Sequence, residues 1–481
     1  MRHLFWFKED LRIYDNPGLY QAVAQASDGI VALYIIDASL WKNHGIAASK
    51  VSFILRGLKV LSQDLARLHI PLLIETVNTT AEIPEVIHRV ILSVQAKAFF
   101  YNHQYEVNES RRNQAVADYL NQRQIKCLAY HDQVIFAPGE IVNKQQQYYK
   151  VFTAYKKAWL KWLDKTSLEL LPAPKKQSIT AIEPGFIPDS LDGFSDTLDP
   201  DLWPAGEPVA QQRLADFIER KLFDYDKTRD FPALDGTSRL SPYLSVGMLS
   251  PRQCFFAALQ ANQGELFSGN RGALTWMQEL IWREYYKHIL VAVPRVSMNR
   301  AYKPEFENIA WQTCEAHLRD WQQGKTGYPI IDAAMRQLNQ TGWMHNRLRM
   351  ISAMFLSKNL LLDWRLGESY FMQHLIDGDL AANNGGWQWS ASTGTDAVPY
   401  FRIFNPITQS ERFDPQAVFI RKYCPEIAHL NDREIHAPYA RAKHKLNPSD
   451  YPRPIVELQG SRERAILAFK TAKLAYAKTN S

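Results

Sequence analysis

Apolar residues in the first third of the chain fall into five short runs separated by longer amphipathic stretches. His3 to Phe7, Gly29 to Ile36, Ile70 to Thr76, Lys97 to Tyr101 and Ile125 to His131 have the length and apolar density of buried strands. Between the second and third runs, Val51, Ile54, Leu58, Leu61, Leu65 and Leu68 recur at steps of three and four, which is the stripe of one helix face. Strand, helix and strand in repetition predict an α/β, doubly wound parallel sheet with right-handed crossovers. Ligands of such sheets sit outside the carboxyl ends of the strands. The loop after the first strand, Lys8-Glu9-Asp10-Leu11-Arg12, lacks the GxGxxG of dinucleotide sites. From about Pro172 to Pro208 the pattern loses its period and turns to Pro, Ser, Asp and Gly, the composition of a connector. Beyond it, helical periodicity dominates, so the larger C-terminal part is expected to be all helical. The resulting division is 1–135 for the sheet domain, 136–205 for the connector and 206–475 for the helical domain.

Composition narrows the function classes. At 481 residues the chain exceeds one ordinary core, and its 56 Lys and Arg against 50 Asp and Glu are a modest basic excess that permits a nucleic-acid partner without demanding one. Cys127, Cys254, Cys314 and Cys424 have neither CxxC nor zinc-ligand spacing, which argues against a disulfide framework and a structural metal and fits a reducing cytoplasm. No run of eighteen uncharged apolar residues occurs, and the N-terminus lacks the layout of a secretion signal, so neither a membrane span nor export is expected.

Four segments carry candidate chemistry. Gly236-Thr237-Ser238-Arg239-Leu240-Ser241 gathers hydroxyls, a guanidinium and a flexible Gly, suited to holding a phosphate or, equally simply, to capping a helix. Asp377-Gly378-Asp379 and Asn383-Asn384-Gly385-Gly386 place polar groups among large apolar residues, where a ligand's ring and ribose groups would satisfy them; a solvated loop with Asx-turns is the alternative. Glu279, Trp282 and Arg283 share a helix face by their i, i+3 and i+4 spacing, as Asn346 and Met350 do. Such faces suit either a helix contact or the grip on a base extracted from its stack. Trp311, Trp343, Trp364, Trp387 and Trp389 all fall in the helical part, as packing residues or one-electron donors. Arg229, Arg347, Arg349 and Arg402 recur near them, the interleaving expected along a nucleic-acid backbone. His345 receives no catalytic role from its position; a neighbouring-helix or solvent contact is expected of it.

Read together, GTSRLSPYLSVGMLSPRQ (236–253), WMQELIWREYYKHIL (276–290), the stretch from GKTGYP to LLLDWR (324–365) and LIDGDLAANNGGWQWSASTGTDAVPYFRIFNP (375–406) closely resemble the class I cyclobutane pyrimidine dimer photolyases of the photolyase and cryptochrome family. The resemblance covers essentially the whole chain. It implies an FAD in the helical domain, held by Tyr225, Thr237, Ser238, Arg239, Leu240, Ser241, Glu279, Arg283, Trp343, Asn346, Arg349, Asp377, Gly378, Asp379 and Asn383, with Asn383 facing the flavin N5. It also implies light-driven transfer of one electron to a cyclobutane dimer in DNA and its return after the ring opens. Glu279, Asn346 and Met350 would then hold the dimer, Trp282 and Trp389 would wall it, and Arg229, Arg347 and Arg402 would contact phosphates. Trp387, Trp364 and Trp311 match the family's electron relay to an oxidised flavin. His44, Asn108 and Glu109 match the site of a 5,10-methenyltetrahydrofolate antenna, although Ser297 and Met298 replace a Cys-Lys pair of some relatives, which keeps a deazaflavin or an empty site as alternatives. A monomer is the expected state. A cryptochrome-like photoreceptor, a (6-4) photoproduct lyase and a light-independent DNA-binding flavoprotein are the rival functions.

Overall fold

In the computed structural model, which describes residues 1–442 and 447–479, the first strands form where the apolar runs placed them. These are β1 (His3–Phe7), β2 (Ile30–Ile36), β3 (Leu72–Thr76), β4 (Ala98–Asn102) and β5 (Lys126–Tyr130). They make one parallel sheet in the order β3-β2-β1-β4-β5. That order reverses direction at β1 and defines a doubly wound sheet, and a crevice opens at the reversal. β1, β2 and β4 are buried along their whole length, which is why their sequences run apolar on both faces instead of alternating.

The crossovers are α1 (Pro17–Gln25), α2 (Ala48–Arg67), α3 (Ile83–Ser93) and α4 (Val107–Asn121). Pro17 at the first position and Asn16 accepting from the Leu19 N–H start α1. The predicted stripe is the inner face of α2, with Val51, Ile54, Leu58, Leu61 and Leu65 buried; Leu68 falls just past its end, as the cap. Further along lie α5 (Phe152–Leu163), α6 (Glu207–Arg220), α7 (Pro251–Ala261) and α8 (Arg271–Ala292). Residues 164–199 carry no regular element, but they are tied to the sheet: Gln177 exchanges side-chain bonds with Ile30 N and O, and the Gly185 N–H bonds to Leu72 O. The span 136–205 thus includes a packed helix, α5, which buries Tyr155 and Trp159.

Two compact units emerge, cut differently from the composition-based division. The first comprises 1–226, 238–294 and 376–381; the second comprises 227–237, 295–375 and 382–481. A buried ionic cluster accounts for α7 joining the sheet unit. Arg12 and Arg252 share Asp132, and Arg252 also grips Asp15, with all four side chains nearly inaccessible. The second unit contains α9 (Pro329–Thr341), α10 (Asn346–Met354), α11 (Trp364–His374), α12 (Leu380–Ser390), which begins at the junction, and α13 (Leu458–Thr479). Its core centres on Trp321, Leu348, Trp364, Phe371 and Trp387. Among its described residues no strand occurs, only the isolated bridge between Gln312 and Leu362. A π-helical turn, Phe355–Asn359, follows α10.

Candidate active site

The residues singled out by sequence divide between the two units. In the first, Asp377, Gly378 and Asp379 lie in the short segment that packs there: Lys287 of α8 donates to Asp379 Oδ2 at 2.8 Å, and Lys50 of α2 donates to Gly378 O at 2.7 Å. Arg239 adopts φ +50°, the left-handed region that a non-glycine residue enters at a cost, and Leu240 follows at φ −90° and ψ −7°. A left-handed residue followed by a right-handed one turns successive N–H groups inward, the backbone geometry that cradles an anion. Tyr225 is buried edge-on to Phe217.

On α8, Glu279, Trp282 and Arg283 share a face as their spacing required, but two of them have occupations the spacing did not reveal. Arg283 donates to Gln133 O at 2.5 Å and to Leu244 O at 3.4 Å. Trp282 lies flat on Phe152 of α5, with centroids 3.6 Å apart at 10°.

In the second unit, Asn383 is nearly buried, and its amide nitrogen donates to Glu368 O at 3.0 Å. No donor to its Oδ1 is found among the described residues, which leaves an amide oxygen able to accept from an N–H. Asn384 bonds to Glu368 Oε1, and burial pushes that carboxyl up to about 7. The Asn346 amide and Met350 sulfur stand 3.9 Å apart on α10, side by side as predicted. Arg349 braces the start of that helix through Met344 O at 2.8 Å, and Trp343 is buried just before it. His345 caps the same helix by accepting from the Arg347 N–H, which gives it the structural role that sequence left open. Arg229 and Arg347 both approach Asp230, at 3.9 and 2.8 Å, and the Arg347 guanidinium lies over Phe413. Arg402 is exposed on a loop whose ends Lys358 joins by donating to Ser392 Oγ and Arg402 O. Thr237 also lies in this unit, beside Gly236, where a Cβ would strike Thr228.

Trp364 and Trp387 are buried in the core, Trp311 packs against it, and Trp389 is half-buried. The indole N–H groups of Trp311, Trp364 and Trp387 have no acceptor among the described residues, whereas Trp321 donates to Ser352 O. Trp6 Nε1 in the sheet shares this feature, and each such buried donor without a partner costs stability.

At the crevice of the sheet, the three residues matched to an antenna site come together. Asn108 Nδ2 is 3.0 Å from His44 Nε2, and His44 Nδ1 is 3.2 Å from Glu109 Oε1. The hydrogen bond that His44 donates to Glu109 raises the His44 pKa; burial opposes ionisation of Glu109, but His44 and Arg112 together hold it below its ordinary value. Glu109 Oε2 is an acceptor with no donor among the described residues. Deeper in, Lys8 lies over the rings of Trp6 and Tyr101, and Arg112 lies over Trp6, so side chains occupy the crevice and leave about 70 Å³ of open space. Lys8, Lys50, Arg112 and Lys287 escaped the sequence reading; the signal available for Lys287 was a charge inside the apolar face of α8.

A parallel doubly wound sheet, a helical part with a polar turn at Asp377–Asp379 and Asn383 in the first turns of α12, and buried tryptophans define the photolyase and cryptochrome class of flavoproteins. Residues 3–175 match the family description "DNA photolyase" and residues 276–471 match "FAD binding domain of DNA photolyase". The chain belongs to the DNA photolyase family. It is 45% identical over 472 residues to the deoxyribodipyrimidine photo-lyase of Escherichia coli, covering 98% of this chain and 99% of that one. A bacterial class III photolyase structure from Agrobacterium tumefaciens superposes with a TM-score of 0.88 at 31% identity, covering 98% of both chains. A Synechocystis cryptochrome superposes at 0.86 with 27% identity, over 97% of this chain and 99% of that one. Among the described residues no helix is long and apolar enough to cross a membrane, and no three His, Cys, Asp or Glu side chains are grouped to hold a metal ion. Within the first unit the donors present are of the kinds FAD takes: an inward-turned backbone at Arg239–Leu240 suited to phosphate, and carboxylates at Asp377 and Asp379.

Proposed function

We propose that this chain is a deoxyribodipyrimidine photolyase that splits cyclobutane pyrimidine dimers in DNA under light. The observation that carries this reading is the end-to-end identity of 45% with a protein named for that activity. When bound, reduced FAD supplies the light-absorbing, one-electron donor chemistry, and the protein supplies position and electrostatics.

In the first unit, Asp377, Gly378, Asp379, Tyr225 and Ser238 to Ser241 would hold the cofactor, together with Arg283, which its two backbone bonds fix in the middle of α8. Glu279 on that face would accept hydrogen bonds from the dimer edge, with Trp282, pre-stacked on Phe152, as a rigid wall. In the second unit, Thr237, Trp343, Arg349 and Asn383 are the candidate cofactor residues. Asn383 Nδ2 is anchored on Glu368 O, so its oxygen is aimed without a charge that would compete with an anionic flavin. Asn346 and Met350 present an amide and a thioether side by side to a flipped base, Trp389 adds apolar surface, and Arg229, Arg347 and Arg402 serve phosphates. Trp387, Trp364 and Trp311 would relay an electron to oxidised cofactor.

For the antenna we favour 5,10-methenyltetrahydrofolate at the crevice rim. His44, Asn108 and Glu109 form a preassembled polar trio with one unused acceptor, whereas the deeper crevice is filled by Lys8, Trp6 and Arg112. The working protein is taken to be a cytoplasmic monomer. The test is repair of an oligonucleotide with one thymine cyclobutane dimer by chemically reduced protein, in light and in darkness, with a (6-4) substrate alongside. Light-dependent repair of the cyclobutane dimer is expected; absence of repair despite bound, reduced FAD would turn the reading to a photoreceptor.

A further inference from the structure

The segment 376–381 is surrounded in sequence by the second unit yet packs in the first, and two buried lysines hold it there. Lys50 Nζ donates to Gly378 O at 2.7 Å and lies 3.5 Å from Glu9 Oε1. Lys287, with no exposed side-chain surface, places Nζ 2.8 Å from Asp379 Oδ2 and 3.6 Å from Glu106 Oε1. A buried ammonium persists only where carbonyls and carboxylates replace its water, so each lysine also constrains what it touches. Lys50 restrains the backbone at Gly378, and Lys287 restrains the carboxylate of Asp379. Lys50 lines the same crevice as His44 and Glu109, so one side chain serves both places.

We propose that Lys50 and Lys287 are positioning residues that hold the Asp377–Asp379 segment in its flavin-binding geometry, and that Glu106 sets how much of the Lys287 charge is left to Asp379. This rests on the assignment of Asp377 and Asp379 to FAD. Burial raises Glu106 to about 7 against the pull of Lys287, with Glu9, Glu109 and Asp379 adding to the rise. The other charges around the group are Arg283 on α8, which acts on Lys287, and Arg112 and His44, which face Glu109. Below that value Glu106 is neutral and Lys287 serves Asp379 alone. Above it, two carboxylates compete for one ammonium, which stays charged because its own pKa is raised.

The experiment follows FAD release from the full-length protein by flavin fluorescence at about pH 6 and about pH 8, on either side of the Glu106 titration. Hydrogen exchange of residues 376–381 is measured in the FAD-loaded protein and after FAD removal. Lys287→Met is expected to release FAD at least about tenfold faster and Lys50→Met several-fold faster. Both should lose protection in 376–381 even without FAD. Wild type should release FAD faster at the higher pH, and Glu106→Gln should abolish that difference. If Lys287→Met does not fold, Lys50→Met and the charge-balanced pair Lys287→Met with Glu106→Gln carry the test. Unchanged protection in 376–381 overturns the positioning role. Lost protection with unchanged FAD release overturns the assignment of this segment to flavin, and the flavin part of the proposal with it. A pH-independent release in wild type overturns the role of Glu106.

Discussion

At the scale of single residues, Gly367 has a task that its type alone did not reveal. A Cβ there would lie 2.1 Å from the Trp387 ring and 2.6 Å from Leu356, so hydrogen is the only side chain that lets α11 approach that indole. Gly367→Ala should cost roughly 1–3 kcal/mol through overpacking. It should also slow photoreduction of oxidised flavin by displacing Trp387, read by flash absorption. Trp364→Phe should leave repair by pre-reduced protein intact and lower photoreduction more than tenfold; normal photoreduction would argue against the relay. Glu368 offers a pH test. Burial raises its pKa from 4.5 to about 7, so the folded protein holds a proton that the unfolded chain releases. Its contribution to stability is therefore full below about pH 4.5 and lost as pH rises through about 7. Glu368→Gln should remove up to about 3 kcal/mol of that pH dependence, seen as a smaller fall in Tm between about pH 5 and about pH 7.5.

At the scale of elements, the turn before α7 and the loop after β1 depend on one another. Gly247 sits at φ +71°, and a Cβ there would lie 2.1 Å from Glu9 O and 2.5 Å from Asp10 Cα. Conformation and space both forbid a side chain. Arg12 lies in the same loop and enters the buried cluster with Asp132, Arg252 and Asp15. Asp132→Ala would strand two guanidiniums and should destabilise the first unit by about 3–5 kcal/mol, measured as a loss of Tm and as faster hydrogen exchange in β1 and α7. Asp132→Asn, which keeps an acceptor, should cost less than the alanine variant but still more than a surface change.

At the scale of the whole molecule, a formal charge of +6 spread over 481 residues is too slight to bind DNA through a general field. Affinity has to come from a few placed arginines. Each phosphate contact contributes about −0.9 to the slope of log K against log salt. Arg402→Ala should therefore reduce the slope by about one and weaken damaged and undamaged DNA alike, while Met350→Ala should weaken only the damaged duplex and leave the slope unchanged. An unchanged slope in the Arg402 variant would remove that residue from the phosphate contacts.

Periodicity and burial by themselves determined the five strands, the α2 stripe and the helical character of the C-terminal part, because apolar spacing is a local property and the strand and helix periods differ. Spacing also paired Asn346 with Met350 and placed Glu279, Trp282 and Arg283 on one face, since i+3 and i+4 neighbours are fixed by helix geometry. The family motifs pointed to residues such as Asn383, whose anchoring on Glu368 O no spacing rule contains. Only the tertiary structure decided which units α7 and residues 376–381 join, that Trp282 is already stacked on Phe152, and that Lys50 and Lys287 secure Gly378 and Asp379. The sequence separation between Lys50 and Gly378 is 328 residues. The physical reason is that a buried charge takes its partner from whatever the fold brings within reach, and nothing in the local pattern around a lysine records that choice.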